Sequence, residues 1–381
     1  MTDLEPILSL WRELEAAGSD YVLASVVGVE GSSYRKPGAH MLLAEDGRRA
    51  GTVSGGCLEA EVARRAWWLT EAGPRVERYS TTDDDGERPY GSGCGGVVHL
   101  LLERPKTAGP LLKMLAAAFE SREALGVATV LEGPQAGARG FFHGAGGADA
   151  NDSLDPLGLR VGLRALAQHA YELATSTETP LLIEGVKTRV RMDYCAPRPG
   201  LWVFSAGDDA RPLVRMAREL GWFVVVADGR SHLVTRERFP EADDVRVLPI
   251  AELPGAAPGH FNPRPTDAAV MMTHSFEQDS RVLASLLALH APPAYMGVLG
   301  PQRRTRELLA EAALLLRLAA DDERVDAWLA QLHAPTGLDL GAETPAAVAL
   351  SILAEVQKVL GAASGEPMRL VRAVAQAVAP R

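Results

Sequence analysis

The sequence predicts an α/β protein in two parts, a mixed α+β domain over residues 1–196 followed by a domain with a doubly wound parallel sheet over 197–381. From residue 201 onward, near-continuous apolar runs alternate with stretches of helical periodicity, the pattern of strands buried on both faces by crossover helices. Before that point, short β-branched runs and helical stretches follow one another without that regular alternation, and Pro197, Pro199 and Gly200 supply a linker between the two regimes.

In chain order, Leu4, Ile7, Leu8, Trp11 and Leu14 recur at helical spacing among acidic residues, which predicts an amphipathic helix and not a signal peptide. YVLASVVGV at 21–29 is a buried strand, followed by strands near 39–44 and 50–53 with a hairpin turn at Asp46-Gly47. A helix begins after Cys57, with Leu58, Val62, Ala66 and Leu69 on one face. DDDGERPYGSGCGG lacks any period and is loop, whereas VVHLLLE is strand. LLKMLAAAFE is then a helix and GVATVLEG a strand, and RGFFHGAGGADAND is a glycine-rich stretch with room for flexibility. LRVGLRALAQHAYELAT is an amphipathic helix, and TPLLIEG with KTRVRMDYC form a strand pair closing the first domain. The second domain reads LWVFSA, WFVVVADGR, VRVLP, AAVMMTHS and AYMGVLGP as strands. RPLVRMARELG, DSRVLASLLALH and RTRELLAEAALLLRL are its helices. A last helix is marked by Thr344 at the N-cap and Pro345 at the first helical position. Its broad apolar face, Ala347 to Val359, predicts pairing of two copies into a homodimer.

With 381 residues, 47% hydrophobic and 23% charged, the chain has material for two or three cores and is not a disordered polymer. A net charge of -10 without a basic block argues against nucleic acid as a partner. No run approaches the roughly 18 apolar residues of a membrane span, so the expected location is the cytoplasm. Cys57, Cys94 and Cys195 are too few for a disulfide framework, and none sits in a C-x-x-C pair.

Two loops concentrate the chemistry. Residues 31–61 bring Arg35 and Lys36, exposed backbone N–H groups, and Cys57 behind Gly55 and Gly56 into one hairpin-sized unit suited to an anionic, soft-metal or sulfur-bearing ligand. Placing Cys57 at a helix start favours its thiolate form. The second loop, GSGCGG, holds Cys94 between Gly93 and Gly95. A small buried hydrophobe is the usual fate of a free cysteine, but both of these stand in polar loops where no apolar face demands them. Cys195, beside a strand and the linker, reads as structural.

The second domain opens with Ser205-Ala206-Gly207-Asp208-Asp209-Ala210 between strand and helix, a turn that resembles the Rossmann dinucleotide fingerprint. Gly207 stands where backbone approaches pyrophosphate, and Asp228 ends the next strand where a ribose hydroxyl partner belongs. Ser205 in place of the first glycine and the twin aspartates weigh against that ligand. His274 follows a strand end in the crevice region; the plainer reading is a cap on the next helix through Asp279. Arg303, with Arg304 and Arg306, is either a phosphate clamp at a helix N-terminus or a solvated face.

Together GSSYRKPGAHMLL, SGGCLEAEV, GSGCGGVV, AGDDARPL, VMMTHSFEQD, GVLGPQRR and LHAPTGLDLGAETPAAVALSILAE resemble the XdhC/CoxI family, accessory proteins of xanthine dehydrogenase and related molybdenum hydroxylases. The resemblance runs in order from about residue 20 to 360. It implies a cofactor-handling domain followed by a Rossmann-like domain. It further implies binding of the molybdenum cofactor (molybdopterin) at Cys57 and Cys94, the two expected metal ligands, while a cysteine desulfurase supplies the terminal sulfur. Delivery to a xanthine dehydrogenase-type molybdenum hydroxylase completes the implied role. The sequence departs from the family at Ser205, where glycine is usual. The alternative is an NAD(P)-dependent oxidoreductase, or a binder of another nucleotide, using Asp228 and His274.

Overall fold

The buried strand β1 (Tyr21–Glu30) organises the first unit, because alternate side chains along it feed two separate cores. The structure is a computed structural model that describes residues 3–80, 96–144, 157–255, 261–319 and 322–371. It forms two compact units, Met1–Arg198 and Pro199–Arg381.

In the first unit, α1 (Glu5–Ala17) precedes β1, and β2 (His40–Ala44) and β3 (Arg49–Gly51) follow it as the expected hairpin. The turn is held by Asp46, whose carboxylate accepts the Arg48 N–H at 2.9 Å. Next come α2 (Glu59–Leu69), β4 (Arg75–Ser80), β5 (Val97–Glu103) and α3 (Pro105–Ser121). The antiparallel sheet has the order β3-β2-β1-β5-β4. Val22, Ala24 and Val26 face α2, whereas Tyr21 and Leu23 face α1 and α3.

A second antiparallel sheet, β7-β6-β9-β8, is built from β6 (Leu125–Val130), β7 (Arg139–Phe142), β8 (Thr177–Ile183) and β9 (Val186–Cys195), with α4 (Leu157–Leu173) across one face. Gly126 allows that close seat, since a methyl group there would lie 2.0 Å from the Ala167 carbonyl oxygen. The glycine-rich stretch begins as regular strand β7, paired with β6 from Arg139 to Phe142, and continues from residue 145 outside the described residues. β4 had no expectation at all. Its sequence, RVERYS, is an edge strand with polar side chains outward.

The second unit is a parallel sheet in the order β12-β11-β10-β13-β14. Its strands are β10 (Gly200–Phe204), β11 (Phe223–Asp228), β12 (Asp244–Val247), β13 (Ala268–Met271) and β14 (Tyr295–Val298). Helices α5 (Ala210–Glu219) and α9 (Pro345–Leu360) share one core with Leu201 and Val203. On the other face, α6 (Phe276–Leu287), α7 (Gln302–Leu315) and the short α8 (Arg324–Gln331) pack over Trp202 and Phe204. The sheet is doubly wound, as the apolar runs required.

Thr344 caps α9, its hydroxyl accepting the Ala347 N–H at 3.2 Å. Much of the α9 face that suggested dimerisation is used within its own unit: Ile352, Leu353 and Val356 are buried against α5 and the sheet, whereas Leu350 stays exposed. No helix among the described residues is long and apolar enough to cross a membrane.

Candidate functional site

The loop between β3 and α2 is held by a buried polar knot. Ser54 Oγ accepts the N–H groups of Gly56 and Leu58, both at 3.1 Å, and donates to Glu59 Oε2 at 2.5 Å. Glu59 Oε1 accepts the N–H groups of Ser54 and Val53 at 2.9 and 3.2 Å. Burial alone would raise the Glu59 carboxyl. The Ser54 hydroxyl and the backbone N–H donors outweigh it and hold the group below the ordinary glutamate range. A carboxylate buried to 2% exposure is thereby stabilised as an anion, and it turns the chain so that Gly55 and Gly56 face solvent.

Cys57 hangs from this knot, partly exposed, with its Sγ 3.6 Å from Ser54 Oγ. It stands just before Leu58, the residue that caps α2, as the sequence led us to expect. Beside it runs the 31–38 loop. A methyl group on Gly55 would lie 3.6 Å from the ring of Tyr34, a side chain that is 75% exposed. The same loop touches Gly96, where a methyl would collide with the Ser32 carbonyl oxygen at 2.1 Å. Gly96 must therefore remain glycine for the 31–38 loop to seat against the start of β5. Gly93, Cys94 and Gly95 lie outside the described residues.

The two expected cations differ. Arg35 forms an ion pair with Asp3, whose carboxyl is raised by burial but drawn below its ordinary range by Arg35. Lys36 is exposed and makes no ion pair with any described residue. Among the described residues, no three His, Cys, Asp or Glu side chains gather into a metal-ion site. Cys195, partly buried on β9, has its thiol pushed up to about 12 by burial first and then by Asp193, away from the thiolate form.

In the second unit the expected residues stand at the carboxyl ends of the strands, but their bonds turn inward. Asp228 is fully buried. One oxygen accepts the Ala206 N–H at 2.7 Å and the Arg230 guanidinium at 2.6 Å, and the other accepts Arg230 N and Nε at 2.9 and 3.0 Å. This carboxylate ties the 205–209 turn to β11, which leaves it poorly disposed toward a ribose hydroxyl. The Ser205 hydroxyl accepts the Gly207 N–H at 3.1 Å. His274 is 82% exposed, 3.9 Å from Asp209, and does not cap α6 through Asp279. Ser275 caps α6 by accepting Gln278 N, while Thr273 and Arg304 bond Asp279 at 2.6 and 2.7 Å. Arg303 lies in solvent, paired with Glu307 one turn on, which is the solvated-face reading.

This order of parts matches known proteins. A profile of the XdhC Rossmann domain matches residues 201–356, and one of the XdhC and CoxI family matches residues 14–80. The chain belongs to the XdhC and CoxI family. Among relatives of this XdhC/CoxI chain, a Bacillus subtilis protein, named for a probable subunit of xanthine dehydrogenase, is 29% identical over 340 residues, 88% of this chain and 92% of its own. The Escherichia coli molybdenum cofactor insertion chaperone PaoD is 26% identical over 367 residues, 94% of this chain and 89% of its own. A crystal structure titled as a xanthine dehydrogenase from Bacillus halodurans superposes with a TM-score of 0.66 at 27% identity, covering 93% of this chain and 96% of that one. The 14–80 match contains the Cys57 knot, the 31–38 loop and Glu59. Sequence reasoning missed Glu59, because an acid in the first turn of a helix ordinarily reads as a solvated partner of the helix dipole.

Proposed function

We propose that this XdhC/CoxI protein binds the molybdenum cofactor on its first unit, keeps it accessible while a cysteine desulfurase supplies the terminal sulfur, and delivers it to a xanthine dehydrogenase-type molybdenum hydroxylase. The observation that carries the reading is the partly exposed Cys57 on a glycine loop, braced by Ser54 and Glu59 and flanked by the Tyr34 loop. The name of the Escherichia coli relative agrees with it.

The donor set fits such a cargo. A bare metal ion needs several protein ligands, and the described residues hold no such cluster. Because the cofactor brings its own dithiolene sulfurs, Cys57 and Cys94 would suffice as the thiolates that hold it. Lys36, exposed on the same loop, would meet the cofactor's phosphate, and Cys94, two residues before Gly96 in sequence, would supply the second thiol. A thiol on a loop, and not on a strand, suits a cargo that must be released.

The rival reading, an NAD(P)-dependent oxidoreductase, has less support because the Asp228 carboxylate faces inward to Ala206 and Arg230. A homodimer stays part of the proposal, with only the exposed Leu350 edge of α9 left to support it; light scattering at micromolar concentration tests it. The cargo itself is tested by loading the wild type and the C57S, C94S and double variants with molybdenum cofactor. Metal analysis and pterin fluorescence then follow retention through gel filtration. Loss in the variants supports the site, and full retention by the double variant rejects it.

A further inference from the structure

A groove of about 430 Å³ lies in the first unit between α1 and α3, lined by Trp11, Pro105, Pro110, Met114 and Phe141, with Lys106 and Lys113 at its rim. From this groove we infer a second ligand site, independent of the cargo reading, for a planar heteroaromatic anion of mononucleotide size.

The walls select for a flat ring. An indole, a phenyl ring, two prolines and a thioether offer flat or polarisable surface with few polar atoms of their own. The Trp11 indole is also fixed in advance. Its Nε1 donates to Glu15 Oε1 at 3.1 Å and lies 3.2 Å from the Tyr21 hydroxyl, which itself donates to Glu15 Oε1 at 2.7 Å. The indole plane is thus oriented before any ligand arrives, which lowers the entropy lost on binding.

The rim selects for negative charge. Lys106 and Lys113 are seven residues apart on α3, two helical turns, so they share one face and stand about 10 Å apart along the axis. Both are exposed, and neither forms an ion pair with any described residue. In a chain of net charge -10, two adjacent ammonium groups without carboxylate partners are a local exception. Glu15, at the opposite wall, orients the ligand so that its acid group points to the lysines. The volume sits at the small end of the roughly 300–1,000 Å³ of ligand sites, enough for one ring system and one acid group.

Calorimetric titration of the full chain with guanosine 5′-monophosphate and with flavin mononucleotide tests this, with guanosine, riboflavin and inorganic phosphate as half-ligands. At least one mononucleotide is expected to bind with a Kd below about 1 mM, and each half-ligand about tenfold more weakly or worse. The K106E–K113E variant changes only exposed side chains and should weaken binding at least about tenfold and flatten its salt dependence. W11A should weaken it comparably, its fold checked by circular dichroism. Absence of saturation by both mononucleotides at about 1 mM overturns the inference. So does binding that K106E–K113E leaves unchanged, since the ligand would then sit elsewhere on the chain.

Discussion

Replacing Glu59 tests how Cys57 is presented. Its carboxylate receives three hydrogen bonds, from Ser54 Oγ, Ser54 N and Val53 N, inside a knot that also fixes Gly56 and Leu58 through the same serine. Hydrogen bonds to a charged acceptor contribute about 1.5–3 kcal/mol each, and an N–H left unpaired in the interior costs about 1–3 kcal/mol. Glu59→Ala strands two such N–H groups, so the loop should lose about 3–4 kcal/mol of local stability. Glu59→Gln keeps one acceptor oxygen but turns an amide NH2 toward Ser54 or a backbone N–H; the expected loss is about 2 kcal/mol. Hydrogen exchange of the peptide covering residues 53–59 reads this directly, with an α3 peptide as internal reference. At about 1.4 kcal/mol per tenfold, the glutamine variant should exchange roughly thirtyfold faster and the alanine variant a few hundredfold faster. The carboxyl is held below its ordinary range in the folded chain, so its contribution is present above about pH 4.3 and lost as pH falls through the folded value. Unchanged exchange in both variants at neutral pH would refute the bracing role.

The Glu103–Arg139 pair is almost fully buried, with Arg139 Nη1 2.8 Å from one oxygen and Nη2 2.5 Å from the other. Glu103→Ala should therefore cost about 3–5 kcal/mol and lower the melting temperature of the first unit by roughly 10 °C, while a Met–Met double replacement costs less than either single alanine. His40, bonded through Nδ1 to Ser25 Oγ, is pushed down to about 4 by burial, with charged neighbours adding smaller effects. An unfolded histidine takes its proton near 6.5, so stability falls as pH drops from about 6.5 to about 4, by roughly 2 kcal/mol once partial exposure of the ring is allowed for. His40→Gln should flatten that slope in urea titrations run across the window. Gly96→Ala should displace the 31–38 loop through the Ser32 carbonyl and abolish cofactor retention, with the melting of the second unit unchanged by calorimetry. Tyr34→Ala, at an exposed ring, should weaken retention by about tenfold without shifting either melting transition, since surface replacements cost little stability.

Legibility followed period and proximity in sequence. The second unit was readable because parallel strands buried on both faces leave runs such as WFVVVAD, and because Thr344 and Pro345 mark a helix start by local chemistry. The edge strand β4 escaped because RVERYS presents charged residues outward, and α8 because eight residues hold barely two turns of period. In the candidate site, Cys57 was legible from its glycines. What holds it was not: Glu59 acts through backbone atoms of Val53 and Ser54, which leave no pattern in sequence. Arg35 read as a free cation because its partner, Asp3, lies thirty-two residues earlier. Asp228 read as a ribose partner because position alone cannot say which way a carboxylate faces once Arg230 follows it.

The ion pair between Asp3 and Arg35 ties the stretch before α1 to the loop beside Cys57. That tether and the Ser54–Glu59 brace are separate supports of one neighbourhood, so either can be cut by substitution while the other still holds.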